Sequence, residues 1–178
     1  DVRTPRYEQV LGLFSGVLSE HPELSNLLLT DENGTVLVAA RGVAEGKNIS
    51  GTPYMEDLFA RRRFTISDSL NDVATGEKVL YCLYPIMEYA GVHGVLIGAL
   101  DVRQSIRDTR ALNFLPNAAM VTADRKGVVL AATQAGHATI DPAVRKAMET
   151  SSTGNGVLHM RAPGEQEVLV AFGGVPSP

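Results

Sequence analysis

The chain has 178 residues, enough for one large domain or two small ones, each with a core of its own. Hydrophobic residues make up 44% and charged residues 20%, which excludes a disordered chain and a coiled coil. A formal charge of -4 argues against a nucleic-acid surface, and a single cysteine, Cys82, excludes an internal disulfide.

No apolar run reaches the roughly 18 residues that a membrane-spanning helix needs. The opening Asp1-Val2-Arg3 carries neither an initiator Met nor a signal-peptide apolar stretch, so the chain reads as a piece of something longer or a processed product.

Tyr7, Val10, Leu11, Phe14 and Leu18 recur at helical spacing and predict one apolar stripe on a helix from about Thr4 to Glu20. His21-Pro22 stops it, because a residue before proline is pushed out of the α region. Leu13 and Val17 fall off that stripe; wider core contact is expected of them, with a dimer seam as the alternative.

Two apolar runs, Leu27–Thr30 and Thr35–Ala40, then flank Asp31-Glu32-Asn33-Gly34. Asp supplies a side-chain acceptor at the first turn position and Gly a residue with positive φ, so this is a β-hairpin. The pattern returns in Ala119–Ala123, Asp124-Arg125-Lys126-Gly127 and Val128–Ala132. Asp31 and Asp124, Gly34 and Gly127, and Leu37 and Leu130 all stand 93 residues apart. Two hairpins in register are best explained as two copies of one architectural unit.

Thr52-Pro53-Tyr54 opens a helix: Thr52 can cap, Pro53 suits the first helical position, and Glu56 and Asp57 complement the dipole. It should run to about Arg63, with Arg61, Arg62 and Arg63 at its negative end. Strands Phe64–Ser67, Lys78–Met87 and Gly94–Val102 follow, with Ala90-Gly91 turning between the last two. This order predicts an α+β fold, an antiparallel sheet with helices to one side.

A polar helical stretch from Arg103 to about Leu112 reads as a linker. Asp141-Pro142 opens another helix through about Thr150, and Asn155–Met160 and Gln166–Phe172 read as strands. The second unit is thus shorter and simpler than the first, and the tail from Gly173 is expected to be loose. The expected organisation is an N-terminal helix in residues 1–25, a first unit with its linker helix in 26–110, and a second unit in 111–178.

Thr30–Leu37, Gly46–Tyr54, Phe64–Gly76 and Tyr84–Val102, in this order and spacing, resemble the double Cache family of tandem PAS-like sensors across nearly the whole chain. The resemblance implies a periplasmic or extracellular sensor of a bacterial inner-membrane receptor, held between two transmembrane helices that lie outside this sequence. The implied output modules are histidine kinases, chemoreceptors and cyclic-dinucleotide enzymes, a two-component sensor histidine kinase being the first choice. It places a small ligand, a carboxylate or an amino-acid-like molecule, in the first, membrane-distal unit between the sheet and the helix carrying Pro53-Tyr54. The amino-acid-binding branch has an Arg and a Trp just before the tyrosine, whereas this chain has Gly51 and Pro53 there and no tryptophan. Asp101 does match the acidic position that holds a ligand amine in that branch.

The candidate ligand-binding residues are Tyr54, Leu58, Arg62, Phe64, Ser67, Tyr81, Leu83 and Asp101. The Tyr54 hydroxyl either meets a ligand or reaches water while the ring packs. One of the three arginines, Arg62 for preference, could hold a carboxylate bidentately, or all three could form a solvated helix end. Phe64, Ser67, Tyr81 and Leu83 lie on strands that either floor the pocket or fill the core. Alternation leaves open whether Val79, Tyr81 and Leu83 or Leu80, Cys82 and Tyr84 face the helix. Asp101 either accepts a ligand amine or hydroxyl or caps the helix that follows.

His21, His93, His137 and His159 are scattered without paired-ligand spacing, so no metal is expected. Neither a phosphate loop nor a G-x-S-x-G elbow is present, and no cofactor or enzymatic activity is expected. The reading that competes with ligand sensing is a protein-interaction or scaffold module that keeps the fold without a ligand. A homodimer through the N-terminal helix is a further expectation.

Overall fold

The computed structural model describes residues 5–89, 91–102, 120–124, 127–132, 140–150, 155–161 and 167–173. The predicted linker helix from Arg103 to Leu112 lies outside them. Helix α1 (Pro5–Glu20) leads into β1 (Leu24–Asp31) and β2 (Val36–Ala39), and α2 (Pro53–Arg61) follows. Strands β3 (Thr65–Ile66), β4 (Leu70–Asn71), β5 (Lys78–Glu88) and β6 (Gly91–Leu100) complete one six-stranded antiparallel sheet, ordered β2-β1-β6-β5-β3 with β4 also on β5. Beyond it come β7 (Val121–Ala123), β8 (Val129–Ala132), α3 (Pro142–Thr150), β9 (Asn155–Arg161) and β10 (Glu167–Gly173). β7 pairs β8 and β9 pairs β10, each pair antiparallel.

The two Asp-x-x-Gly hairpins are copies down to their register. Leu28 pairs Ala39, Leu29 pairs Val38 and Thr30 pairs Val36, with a bulge between Leu29 and Thr30. Val121 pairs Ala132, Thr122 pairs Ala131 and Ala123 pairs Val129, with the bulge between Thr122 and Ala123. Each partner is the other's equivalent 93 positions on. Asp31 Oδ1 accepts the Thr35 N–H at 2.8 Å and Asp124 Oδ1 the Val128 N–H at 2.9 Å. Gly34 and Gly127 turn the chain at φ +76 and +75, a left-handed conformation that costs other residues about 1–2 kcal/mol.

The helices of the first unit lie on both faces of the sheet, which corrects the expectation of one side. Leu28, Val95, Ile97, Val79, Tyr81 and Leu83 bury with Met55 and Leu58 of α2 in one core. Leu27 and Val38 bury with Phe14 and Leu18 of α1 in another, where Tyr7, Val10, Leu11, Leu29 and Leu96 also pack. The physical reason is that Leu27-Leu28-Leu29 is a continuous apolar run on a central strand, so both its faces need cover. A side chain buried this fully contributes about 1.5–3 kcal/mol.

The predicted stripe of α1 is the face that packs. Leu13 and Val17 stay 70% and 40% exposed, which corrects the expectation of wider core contact. They flank the packed stripe on one side of the helix and leave much of their surface open. Helix α2 ends at Arg61 rather than Arg63, because Arg62 takes a left-handed conformation at φ 53 and its N–H closes onto Leu58 O. Thr52 occupies the N-cap position and Pro53 the first turn, as expected, but the Thr52 hydroxyl donates back to Ile49 O at 2.7 Å instead of accepting from the helix. In α3 the cap is made: Asp141 Oδ1 accepts the Ala143 N–H at 2.8 Å. No helix among the described residues is long and apolar enough to cross a membrane.

Candidate functional site

Strand alternation fixes the face of the sheet that meets α2. Val79, Tyr81 and Leu83 point to the helix and are buried, while Leu80, Cys82 and Tyr84 point the other way. Tyr54, in the first turn of α2, sets its ring edge-on against Tyr81, with centroids 5.5 Å apart and planes at 85°, a favoured aromatic geometry. Tyr54 is half-buried, and burial pushes its phenol above the ordinary value.

Tyr81 itself is 0% exposed and is held at three points. Its hydroxyl donates to Asp72 Oδ1 at 2.6 Å and accepts the Val73 N–H at 2.8 Å. Its backbone N–H donates to Ser67 Oγ at 2.8 Å, and its carbonyl accepts the Ser67 N–H at 2.9 Å. Burial first, and then the Asp72 carboxylate, drive the Tyr81 phenol far above the ordinary range, so it stays a neutral donor.

Asp72 is 2% exposed, and a carboxylate buried this deeply needs every lone pair matched. Its Oδ2 accepts from Asn26 Nδ2 at 3.0 Å, from Thr75 N–H at 3.0 Å and from Thr75 Oγ1 at 2.7 Å. Burial alone would raise its pKa; the hydrogen bonds from Tyr81, Asn26 and Thr75 outweigh this and hold it below the ordinary value. Asn26, also buried, accepts the Arg41 N–H at 2.9 Å and donates to Arg41 O at 3.0 Å. One polar network therefore ties the start of β1, the segment after β2 and the segment before β5 to the aromatic pair.

Of the eight candidate residues, the structure gathers Tyr54, Leu58, Tyr81 and Leu83 into one packed cluster, with Ser67 joined to it through Tyr81. Phe64 is half-buried just before β3. Arg62 is exposed at the end of α2 and is not brought to the cluster, and Arg61 pairs with Asp57 along the helix at 2.6 Å. Asp101 lies half-buried one residue past β6, where its N–H donates to Glu23 O at 2.9 Å and the next residue, Val102, is helical. With Lys78, Val79, Val102 and Leu130 it lines a cavity of about 50 Å³. Cys82 is half-buried on the far face, and burial pushes its thiol up, away from reactivity.

Asp72, Asn26 and Thr75 escaped the reading of the sequence. A signal for two of them exists: Asp72-x-x-Thr75-Gly76 is a third Asp-to-Gly turn, with the Gly76 N–H on Asp72 O at 2.8 Å and Gly76 at φ +77. Asn26 has no local signature, since its partners are far away in the chain.

No family model and no curated protein matches this sequence. Solved structures do. The extracellular domain of rpHK1S-Z16, assigned as a histidine kinase, superposes with a TM-score of 0.76 at 13% identity, over 92% of this chain and 70% of that one. The ligand-binding domain of the Campylobacter jejuni chemoreceptor Tlp3, solved with 4-methylisoleucine, gives 0.66 at 17% identity, over 94% and 68%. That of the Pseudomonas aeruginosa amino acid chemoreceptor PctC, solved with GABA, gives 0.58 at 20%, over 89% and 71%. The chain has the fold of an extracellular ligand-binding domain, the Cache-like architecture that its motifs resemble.

Proposed function

We propose that this chain is the extracytoplasmic ligand-sensing domain of a bacterial transmembrane receptor, a two-component sensor histidine kinase for preference, and that it is not itself an enzyme. Residues 26–110 form the membrane-distal, ligand-binding unit and residues 111–178 the membrane-proximal one. The observation that carries this reading is the likeness of fold, over about nine-tenths of the chain, to sensor domains of histidine kinases and chemoreceptors. Amino acids in two of those neighbours favour an amino-acid-like molecule or a small carboxylate here. Tyr54, Tyr81, Leu58, Leu83, Phe64 and Ser67 form the wall and floor of the ligand site, with Asp101 accepting an amine or hydroxyl. The exposed outer stripe of α1, Leu13 and Val17, is the seam of a homodimer.

One observation favours a second reading. Met55, Leu58, Tyr81 and Leu83 have no exposed surface, so the space between α2 and the sheet is filled in the state described. A ligand must displace α2 or bind beside Tyr54, whereas a protein-interaction module needs neither. A thermal-shift screen against amino acids, small carboxylates, amines and sugars separates the two. A ligand at 100 times its Kd adds about 2.7 kcal/mol, or roughly 5–10 °C for a chain of this size. A hit lost in Tyr54→Phe and in Asp101→Ala supports the sensor; a flat response to every compound overturns it in favour of the interaction module.

A further inference from the structure

The two Asp-x-x-Gly turns differ in what the second carboxylate oxygen does. Asp31 serves its own turn, with Oδ1 accepting from Asn33 and Thr35. Asp124 serves its turn through Oδ1 and also reaches out of it: Oδ2 accepts the N–H of Ser69, in the six-stranded sheet's own connection, at 3.3 Å. That is long for a bond to a carboxylate, whose N–H partners usually sit closer. The Ser69 hydroxyl, on the same residue, is buried and has no hydrogen-bond partner among the described residues. A buried, unmatched hydroxyl is unfavourable, and here a carboxylate lies on the adjacent N–H.

Ser69 is also tied to the aromatic pair from both sides. Ser67 holds the backbone of Tyr81, and Asp72 holds its hydroxyl. Ser69 thus lies inside a short segment, 67–72, whose two ends both hold Tyr81. A cavity of about 50 Å³ lies nearby, between Leu130 of β8 and Val79, the strand partner of Leu70.

We propose that Asp124 is a two-position latch: its carboxylate takes the Ser69 N–H in the state described and the Ser69 hydroxyl in a second state, and this exchange couples the setting of Tyr81 to the β7–β8 hairpin. Both states are hydrogen-bonded, so neither strands a charge, and the second satisfies the hydroxyl with a stronger, charge-assisted bond. A ligand that bears on Tyr81 biases the latch by favouring one state over the other. That last link rests on the sensor reading above; the latch itself does not.

The test is amide hydrogen exchange on the ligand-free chain. Asp124→Asn, which keeps the side-chain shape and removes the charge, should speed exchange at Ser69 and through 65–72 by about tenfold, the loss expected for a hydrogen bond to a charged group. Asp31→Asn, in the equivalent turn, should disturb only its own hairpin. Ser69→Ala keeps the N–H and removes the second state, so the Ser69 amide should exchange more slowly than in the unaltered chain. Because it deletes one buried oxygen, this variant folds even if Asp124→Asn does not. Changes in Asp124→Asn confined to 121–132, or an unchanged Ser69 amide in Ser69→Ala, overturn the latch. No ligand is added, so failure here leaves the sensor reading standing, and an unresponsive ligand panel leaves the latch standing.

Discussion

The β1–β2 and β7–β8 hairpins share a turn, a register and a bulge, and they differ in what surrounds them. β1 is a central strand between β2 and β6, apolar on both faces and covered by α2 on one and α1 on the other. β7 pairs with β8 alone among the described residues, and Val121, Thr122 and Ala123 are all half-buried. Local chemistry made the same hairpin twice; burial made one of them the centre of a core. The same short motif can thus carry very different shares of a protein's stability.

Equivalent substitutions in the two copies test this directly. Leu28→Ala should cost about 2–5 kcal/mol, because the site is closed on every side, while Val121→Ala at the equivalent position should cost under about 1.5 kcal/mol. Urea denaturation followed by circular dichroism measures both, and equal losses would break the comparison. Next in size come the turn glycines. A Cβ on Gly34 would fall 2.9 Å from the Ser50 backbone, which cannot step aside. Gly34→Ala should therefore add overpacking to the left-handed cost, about 2–4 kcal/mol in all. The atoms nearest to a Cβ on Gly127 belong to the guanidinium of Arg145, the end of a flexible side chain, so Gly127→Ala should cost about 1–2 kcal/mol. Melting temperatures of the two variants give the order.

Acid should reach the six-stranded sheet through Asp72. Its folded-state pKa is depressed, so below about 3.9, the ordinary aspartate value, the unfolded chain binds the extra proton. The stabilisation is complete above that pH and is lost as pH falls through the folded value. Asp72→Asn should cost about 1–3 kcal/mol at neutral pH and should flatten the stability profile below pH 4 in an acid titration of the melting temperature. A variant as acid-sensitive as the unaltered chain would move the effect elsewhere. The smallest change is expected on the outer face of α1, where Leu13→Ala should stay within about 0.5 kcal/mol in dilute solution. A loss that grows with protein concentration would instead reveal a covered seam.

Much of the fold was legible because its signals are local. A helix stripe repeats within one or two turns, a proline opens α2, and an aspartate and a glycine three positions apart set each hairpin. The 93-residue spacing of the two turns was legible as well, while the bulge in each hairpin came from the structure. Tyr54 and Leu58 could be placed one turn apart on α2 from their spacing, whereas alternation left open which face of β5 carries Tyr81 and Leu83 to it. The end of α2 was not legible, because the residue that turns left-handed after Arg61 is Arg62 and no glycine marks the stop.

From the sequence alone came the α+β class, the repeated hairpin and the resemblance to a sensor family. The tertiary structure decided which face of β5 meets α2, that α1 and α2 sandwich the sheet, and which polar groups share a site. The physical reason lies in the range of the interactions. Turns and caps are closed by neighbours a few residues away, so composition and spacing carry them. Asn26 with Asp72, 46 residues apart, and Ser69 with Asp124, 55 apart, meet only because packed apolar surfaces bring their strands together. A buried polar group must then find whatever partner that packing supplies.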